Sequence, residues 1–231
     1  MRTQEQIDKI KESQSPATQQ FIFLKEHDIE KLLQHYNTHK DKVDEKPTGP
    51  KCLYIKEGEG VIDDLLIPLR EKYGNFKVRN AQIFDTTVPH VVHIDDGINL
   101  PNSYKAFTIP LQVTGGASPL DAKLCLFDQY YYGGPAKFLN GEDYKSPTYN
   151  KAITSYEEVE GINDRGISDI WRKDFLTHLD EKWIKGLSMK SYFPWIPGSY
   201  IAFDSLQLHC ASDFRKVGIT RKIGLSIFTT L

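Results

Sequence analysis

The 231-residue chain lacks any apolar run long enough to cross a bilayer, and its mean hydropathy is −0.46, which excludes a helical membrane protein. Its opening, MRTQEQIDKIKESQ, is polar and has no signal-peptide core. Cysteine is scarce. Cys52, Cys125 and Cys210 are too few and too scattered for a disulfide framework or a zinc finger, so a reducing, cytoplasmic setting is expected. Neither sign of charge dominates: 29 basic against 31 acidic residues give −2, no broad field for nucleic acid or anionic lipid. Repeats and low-complexity tracts are absent as well. What is present is an ordinary globular composition, 39% hydrophobic and 26% charged, which predicts one domain over 1–231.

Two patterns divide that domain. Up to about residue 75 the spacing is helical: Ile29, Leu32, Leu33 and Tyr36 follow Asp28, and Leu65, Leu66, Leu69 and Tyr73 follow Asp63 and Asp64. Gly74 is placed to end the second helix, and Pro68 to bend it or delay its start. From Phe76 the pattern alternates. Strands are predicted at 76–85, 89–95, 104–113, 122–128, 199–203, 206–210 and 219–229, with a helical insertion near 167–187. The fold expected is mainly β, a sandwich or barrel core over 76–231 with a helical buttress over 1–75 and an insert at about 129–197.

Metal ligands on a strand must leave the same face, as residues i and i+2 do, whereas on a helix that spacing separates them by about 200°. His-x-Asp occurs three times. His39–Asp41 lies in the polar stretch THKDKVDEK and reads as solvated surface. His178–Asp180 lies in the helical phrase DFLTHLDEKW, so its side chains diverge. Only His93–Asp95, in VPHVVHIDDG, combines a β-branched run with a turn where a site can form. His90 and Asp96, at odd spacing, read as structural or supporting residues. For a third ligand His209 is the remaining histidine in a strand context, 116 residues beyond His93, although a lone strand histidine is by default a satisfied core residue. Two histidines and one carboxylate with open positions suit non-haem Fe(II).

The last strand, ITRKIGLSIFTTL, places Arg221 in a row with Ile219, Ile223, Leu225 and Ile227. A buried guanidinium needs an anion, from a bound ligand or from a structural Asp or Glu. On the opposite row Lys222 reads as a solvated charge.

His-x-Asp, a distant histidine and an arginine 12 residues beyond it resemble the Fe(II)/2-oxoglutarate-dependent dioxygenases, over Phe76 to the C-terminus. PGSYIAFDSLQLHCAS, leading into the distal ligand, extends the likeness. HIDDGINLPNSYKAFTIPLQ is similar to phage and bacterial oxygenase-like proteins. The resemblance implies a double-stranded β-helix (jelly-roll, cupin-like) core, with Fe(II) on His93, Asp95 and His209. It also implies 2-oxoglutarate as cosubstrate, its 5-carboxylate on Arg221, and O2 as co-reactant. The implied reaction is hydroxylation or demethylation rather than halogenation, because Asp95 occupies the place a halide would take. Some members carry Arg-x-Ser on the last strand; here that offset is Ile223, so a second carboxylate contact is unassigned. Asn80 and Gln82 on the first core strand, and Thr108, are candidates for hydrogen bonds to the cosubstrate, each equally readable as a buried polar group bonded to backbone.

Tyr130, Tyr131, Tyr132, Tyr144, Tyr149 and Tyr156 cluster in 129–166, the expected substrate-facing segment, though such tyrosines more often pack a long loop against a sheet. Trp195 reads as a plug at the barrel end, and Arg215 and Lys216 as solvated. The substrate is a small molecule or peptide of unassigned identity. Two other readings remain: a cupin-like metalloenzyme without 2-oxoglutarate, and a non-catalytic jelly-roll binding module.

Overall fold

The computed structural model of the chain describes residues 2–45, 50–96, 100–134 and 159–231. Among the described residues four helices, α1 (Gln4–Glu12), α2 (Glu26–Thr38), α3 (Asp63–Tyr73) and α4 (Asp169–Phe175), accompany eleven strands. These are β1 (Thr18–Gln20), β2 (Asp44–Glu45), β3 (Lys51–Ile55), β4 (Lys77–Thr86), β5 (Ser103–Gly115), β6 (Lys123–Tyr131), β7 (Val159–Glu160), β8 (Met189–Pro194), β9 (Tyr200–Asp204), β10 (Gln207–Ala211) and β11 (Ile219–Thr230).

The larger sheet runs β1-β9-β5-β11-β4-β3-β2, and the smaller runs β10-β6-β7 with β8 on the other edge of β6. The segment predicted as a strand at 89–95 contributes only one bridge, His93 to His209, beside β10. Pro89 brings no N–H, and Asp95 and Asp96 already leave the ladder.

Helices α2 and α3 form where the spacing predicts. Asp28 accepts a hydrogen bond from the Lys25 N–H (3.0 Å), so α2 starts two residues before Asp28. Both carboxylate oxygens of Asp63 accept backbone N–H groups, from Gly58 and Gly60 (2.8 Å each), fixing the entry to α3. Pro68 lies inside α3 without ending it, and Gly74, at φ 84°, closes it. The insertion near 167–187 is less helical than expected: α4 stops at Phe175, followed by a short 3-10 turn at Glu181–Trp183.

Three apolar layers hold the sheets. Leu32, Tyr36, Leu66 and Leu69 of α2 and α3 pack on Ile83, Ile109, Ile223, Leu225 and Ile227 of the larger sheet. Fully burying each of these leucines contributes about 2 kcal/mol. Between the sheets lie Ala106, Leu124, Leu126, Ile201, Phe203 and Phe228. Beyond the smaller sheet, Phe127, Leu208 and Cys210 pack against Leu176 and Leu179, and against Ile10 of α1. The N-terminal region is therefore not one buttress: α1 lies on the opposite side of the sandwich from α2 and α3.

The larger sheet is thus covered on both faces, which governs how β11 is read. Its row Ile223, Leu225, Ile227 faces the helices, while Phe228 belongs to the layer between the sheets. All three cysteines are buried thiols. No helix among the described residues is long and apolar enough to cross a membrane.

Candidate metal centre

The single bridge that joins residues 89–95 to the sheet is also where the site forms. His93 and His209 exchange backbone hydrogen bonds (2.9 and 3.0 Å), which sets their side chains together, with ring centroids 4.1 Å apart. Asp95, two residues on, donates its N–H to the Ser205 carbonyl (2.8 Å). Each imidazole is oriented by its own chain: Nδ1 of His93 meets the Val91 carbonyl at 2.8 Å, and Nδ1 of His209 the Gln207 carbonyl at 2.9 Å. With Nδ1 anchored in this way, Nε2 is the atom each ring turns toward the site. The two Nε2 atoms face one carboxylate, at 3.5 Å (His93 to Asp95 Oδ1) and 3.3 Å (His209 to Asp95 Oδ2).

One ligand atom from each of the three lies within 4.8 Å of the others, the one such group among the described residues. Burial works against the charge of Asp95, but the two imidazoles outweigh it and hold the carboxyl well below the usual range. Asp95 is therefore an anion at neutral pH, as a metal ligand must be. Two nitrogens and one carboxylate oxygen fit a divalent first-row metal with positions left open.

The other His-x-Asp copies do not form sites. His39 bonds back to the His35 carbonyl (2.9 Å), and His178 contacts the His90 carbonyl (3.4 Å) while Asp180 opens a turn. His90 does not face away, as its odd spacing predicts: its ring lies 4.1 Å from that of His93, because 89–93 is not a regular strand. Asp96 is fully buried between Arg2 and Arg79.

The expectation for β11 is corrected. Arg221 meets its carboxylate within the chain, making a bidentate pair with Asp85 (Nε–Oδ1 2.8 Å, Nη2–Oδ2 2.7 Å), and Asp85 also accepts from the Tyr36 hydroxyl (3.1 Å). The arginine side chain is 39% exposed. Its row faces the helical layer, not the space between the sheets. Lys222, read from sequence as solvated, is 2% exposed and stacked against Trp195 (4.1 Å) and Phe214 (4.6 Å). Among the described residues no carboxylate pairs with it. Burial pushes its amine down to about 7. The buried cation lacking an anion is therefore Lys222.

Lys222 shares its row with Gly224, Ser226 and Phe228. Across the ladder Ser226 is level with Gln82 on β4 and Thr108 on β5, and Phe228 is level with Asn80 and Ala106. Asn80, Gln82 and Thr108 thus share the inward face with Lys222. Ser226 joins them on that face. The absence of a side chain at Gly224 matters here: a Cβ would lie 2.8 Å from both Phe84 Cζ and Trp195 Cζ2, the aromatic pair beside Lys222.

Of the clustered tyrosines, Tyr130 donates to Asp204 (3.0 Å), Tyr131 is wholly buried, and Tyr132 accepts from Gln14 (2.8 Å). These three pack the loop root against the sheet. Tyr144, Tyr149 and Tyr156 lie outside the described residues. Trp195 is buried at the barrel end, and Arg215 and Lys216 are exposed.

No family model matches the chain, and no curated protein matches it in sequence. Solved structures do. The non-haem α-ketoglutarate-dependent carbocyclase SnoK from nogalamycin biosynthesis aligns with a TM-score of 0.54 at 11% identity, covering 99% of this chain and 83% of its own. The α-ketoglutarate-dependent epimerase SnoN from the same biosynthesis aligns at 0.52 and 11%, covering 98% of this chain and 80% of its own. SnoN in complex with Fe3+, α-ketoglutarate and nogalamycin RO aligns at 0.51 and 11%, covering 98% and 82%. The shared feature is the fold: a double-stranded β-helix core with flanking helices, as the sequence predicts.

Proposed function

We propose that this chain is a non-haem Fe(II)- and 2-oxoglutarate-dependent oxygenase. It hydroxylates, or oxidatively demethylates, a small-molecule or peptide substrate, consuming O2 and releasing succinate and CO2. The observation that carries the reading is the convergence of His93, Asp95 and His209, with the amine of Lys222 buried in the same barrel and no carboxylate beside it among the described residues.

The residues fit both groups. His93 and His209 offer Nε2, and Asp95 an anionic oxygen, to Fe(II); Lys222, protonated as the anion arrives, offers its positive charge to the far carboxylate of 2-oxoglutarate. When bound, iron and 2-oxoglutarate supply oxidative decarboxylation coupled to attack on an unactivated C–H bond. The protein contributes orientation and dryness. The Val91 and Gln207 carbonyls fix the imidazole planes, so the ligands need little reorganisation on binding. Gln82, Ser226, Thr108 and Asn80 line the inward face as hydrogen-bonding groups for the cosubstrate. Leu126, Phe203 and Phe228 keep the space apolar and limit water.

Asp95 retains the carboxylate position, which favours oxygenation over halogenation. SnoK and SnoN are a carbocyclase and an epimerase, so substrate placement selects the outcome on this scaffold. The buried lysine without a carboxylate partner among the described residues is the feature that favours a 2-oxoglutarate enzyme over a metal enzyme that uses none. The test is succinate formation from 2-oxoglutarate with Fe(II) across pooled amino acids, peptides, natural products and nucleobases. Turnover dependent on His93 and Lys222 supports the proposal; metal-dependent oxidation that proceeds equally without 2-oxoglutarate overturns it.

A further inference from the structure

We propose that Arg2 is a positioning residue for the metal centre, holding Asp95 in place through a buried Arg2–Asp96–Arg79 clamp. The inference rests on the metal-site reading above and extends it to residues far from the metal in sequence.

Of the three ligands, Asp95 is the one the β-ladder does not secure. His209 sits in β10 and His93 is bridged to it, whereas Asp95 and Asp96 lie beyond the last bridge. A ligand needs its geometry fixed to about 0.5 Å to bind metal well. Here the work falls to guanidinium groups. The Asp95 peptide is held on both sides: its N–H donates to the Ser205 carbonyl (2.8 Å), and its carbonyl accepts from Arg79 Nη2 (2.9 Å). Arg79 also reaches Asp96 Oδ1 (3.3 Å), and Arg2 takes Asp96 Oδ2.

The Arg2 and Asp96 side chains are 0% exposed. Such a pair persists only where the remaining donors and acceptors are met. They are met: Arg2 donates to the Leu100 and Tyr132 carbonyls (2.8 Å each) and to Ser103 Oγ (3.3 Å). Asp96 Oδ1 further accepts from the Leu100 N–H and Ser103 Oγ (3.4 Å each). The residue after the metal carboxylate is thus tied to the next stretch of chain, to the end of β6 and to the N-terminus. From Arg2 the chain enters α1, whose Lys11 pairs with Glu160, while Gln14 just beyond it bonds Tyr132. The N-terminal segment therefore connects the metal carboxylate to both flanks of the long insert.

Titration with Co(II), read by its visible spectrum, tests the clamp without turnover. Removing the outer support of a metal ligand typically costs about 10- to 100-fold in affinity, and Arg2→Met is expected to fall in that range. Arg2→Lys should recover part of the loss and shift the Co(II) bands, because the charge returns without the forked contacts. Arg221→Met, which breaks the Asp85 pair, serves as the stability control and should bind Co(II) as the unaltered chain does. Arg79→Met replaces Arg2→Met if the latter does not fold. Unaltered affinity and spectrum in Arg2→Met, or an equal loss in Arg221→Met, overturns the clamp while leaving the metal site standing. No Co(II) binding by the unaltered protein overturns the metal-site reading and the clamp with it.

Discussion

Replacing Lys222 by methionine should stabilise the protein and abolish cosubstrate binding at once. The amine moves from its ordinary 10.5 to about 7 because it is buried against Trp195 and Phe214 with no carboxylate partner among the described residues. A drop of that size corresponds to a penalty of about 5 kcal/mol on the charged form. The sign follows from proton counts. Between about pH 7 and 10.5 the unfolded chain holds this proton and the folded chain has released it, so stability rises with pH across that window. The penalty is complete at and below pH 7 and gone near pH 10.5. Methionine fills similar volume without the charge, so Lys222→Met should gain about 2–4 kcal/mol in urea unfolding at pH 7, with the gain shrinking toward zero as pH approaches 10. Saturating 2-oxoglutarate should reverse the order. At about 1,000 times its Kd a ligand adds about 4.1 kcal/mol, enough to offset the whole of that gain, and only the lysine form should receive it. A variant that is less stable than the parent at pH 7, or equally stabilised by 2-oxoglutarate, would refute this reasoning.

Three further outcomes follow from the same geometry. Arg221→Ala should cost about 1–2 kcal/mol by leaving Asp85 without its bidentate partner, yet leave 2-oxoglutarate affinity unchanged in calorimetry. Gly224→Ala should cost about 1–3 kcal/mol and weaken 2-oxoglutarate binding, since its Cβ displaces Phe84 or Trp195 beside Lys222. His39→Ala and His178→Ala should leave Co(II) affinity alone, whereas His93→Ala and His209→Ala should remove it in the same titration.

The sequence was most legible where chemistry and strand geometry coincide. The spacing of His93 and Asp95, against two copies in stretches whose pattern reads as polar or helical, was enough to choose one tripeptide, and the structure brings that pair to His209. The inward face of β4 was legible too, because Asn80 and Gln82 interrupt an apolar row. On β11 the same logic selected Arg221, which the structure pairs with Asp85, and passed over Lys222. Both faces of that strand are buried, one under α2 and α3 and one inside the barrel, and the more apolar face belongs to the helices. Apolarity therefore did not mark the interior, and Lys222, in a row with Gly224 and Ser226, passed for solvated. A polar row opposite an apolar one, on a strand with no outer face, is the signal to look for. The clamp on Asp96 was invisible because Arg2 and Arg79 meet it from distant parts of the chain, and no local pattern encodes that meeting.

The central claim is that His93, Asp95 and His209 hold one Fe(II) to which 2-oxoglutarate, anchored by Lys222, is bound. Its most direct test is the visible absorbance of anaerobic protein on adding Fe(II) and then 2-oxoglutarate. A metal-to-ligand charge-transfer band in the unaltered protein, absent in His93→Ala and lost or weakened many-fold in Lys222→Met, is the predicted result. Folded, unaltered protein that develops no such band, or a band of equal strength in Lys222→Met, would contradict the account.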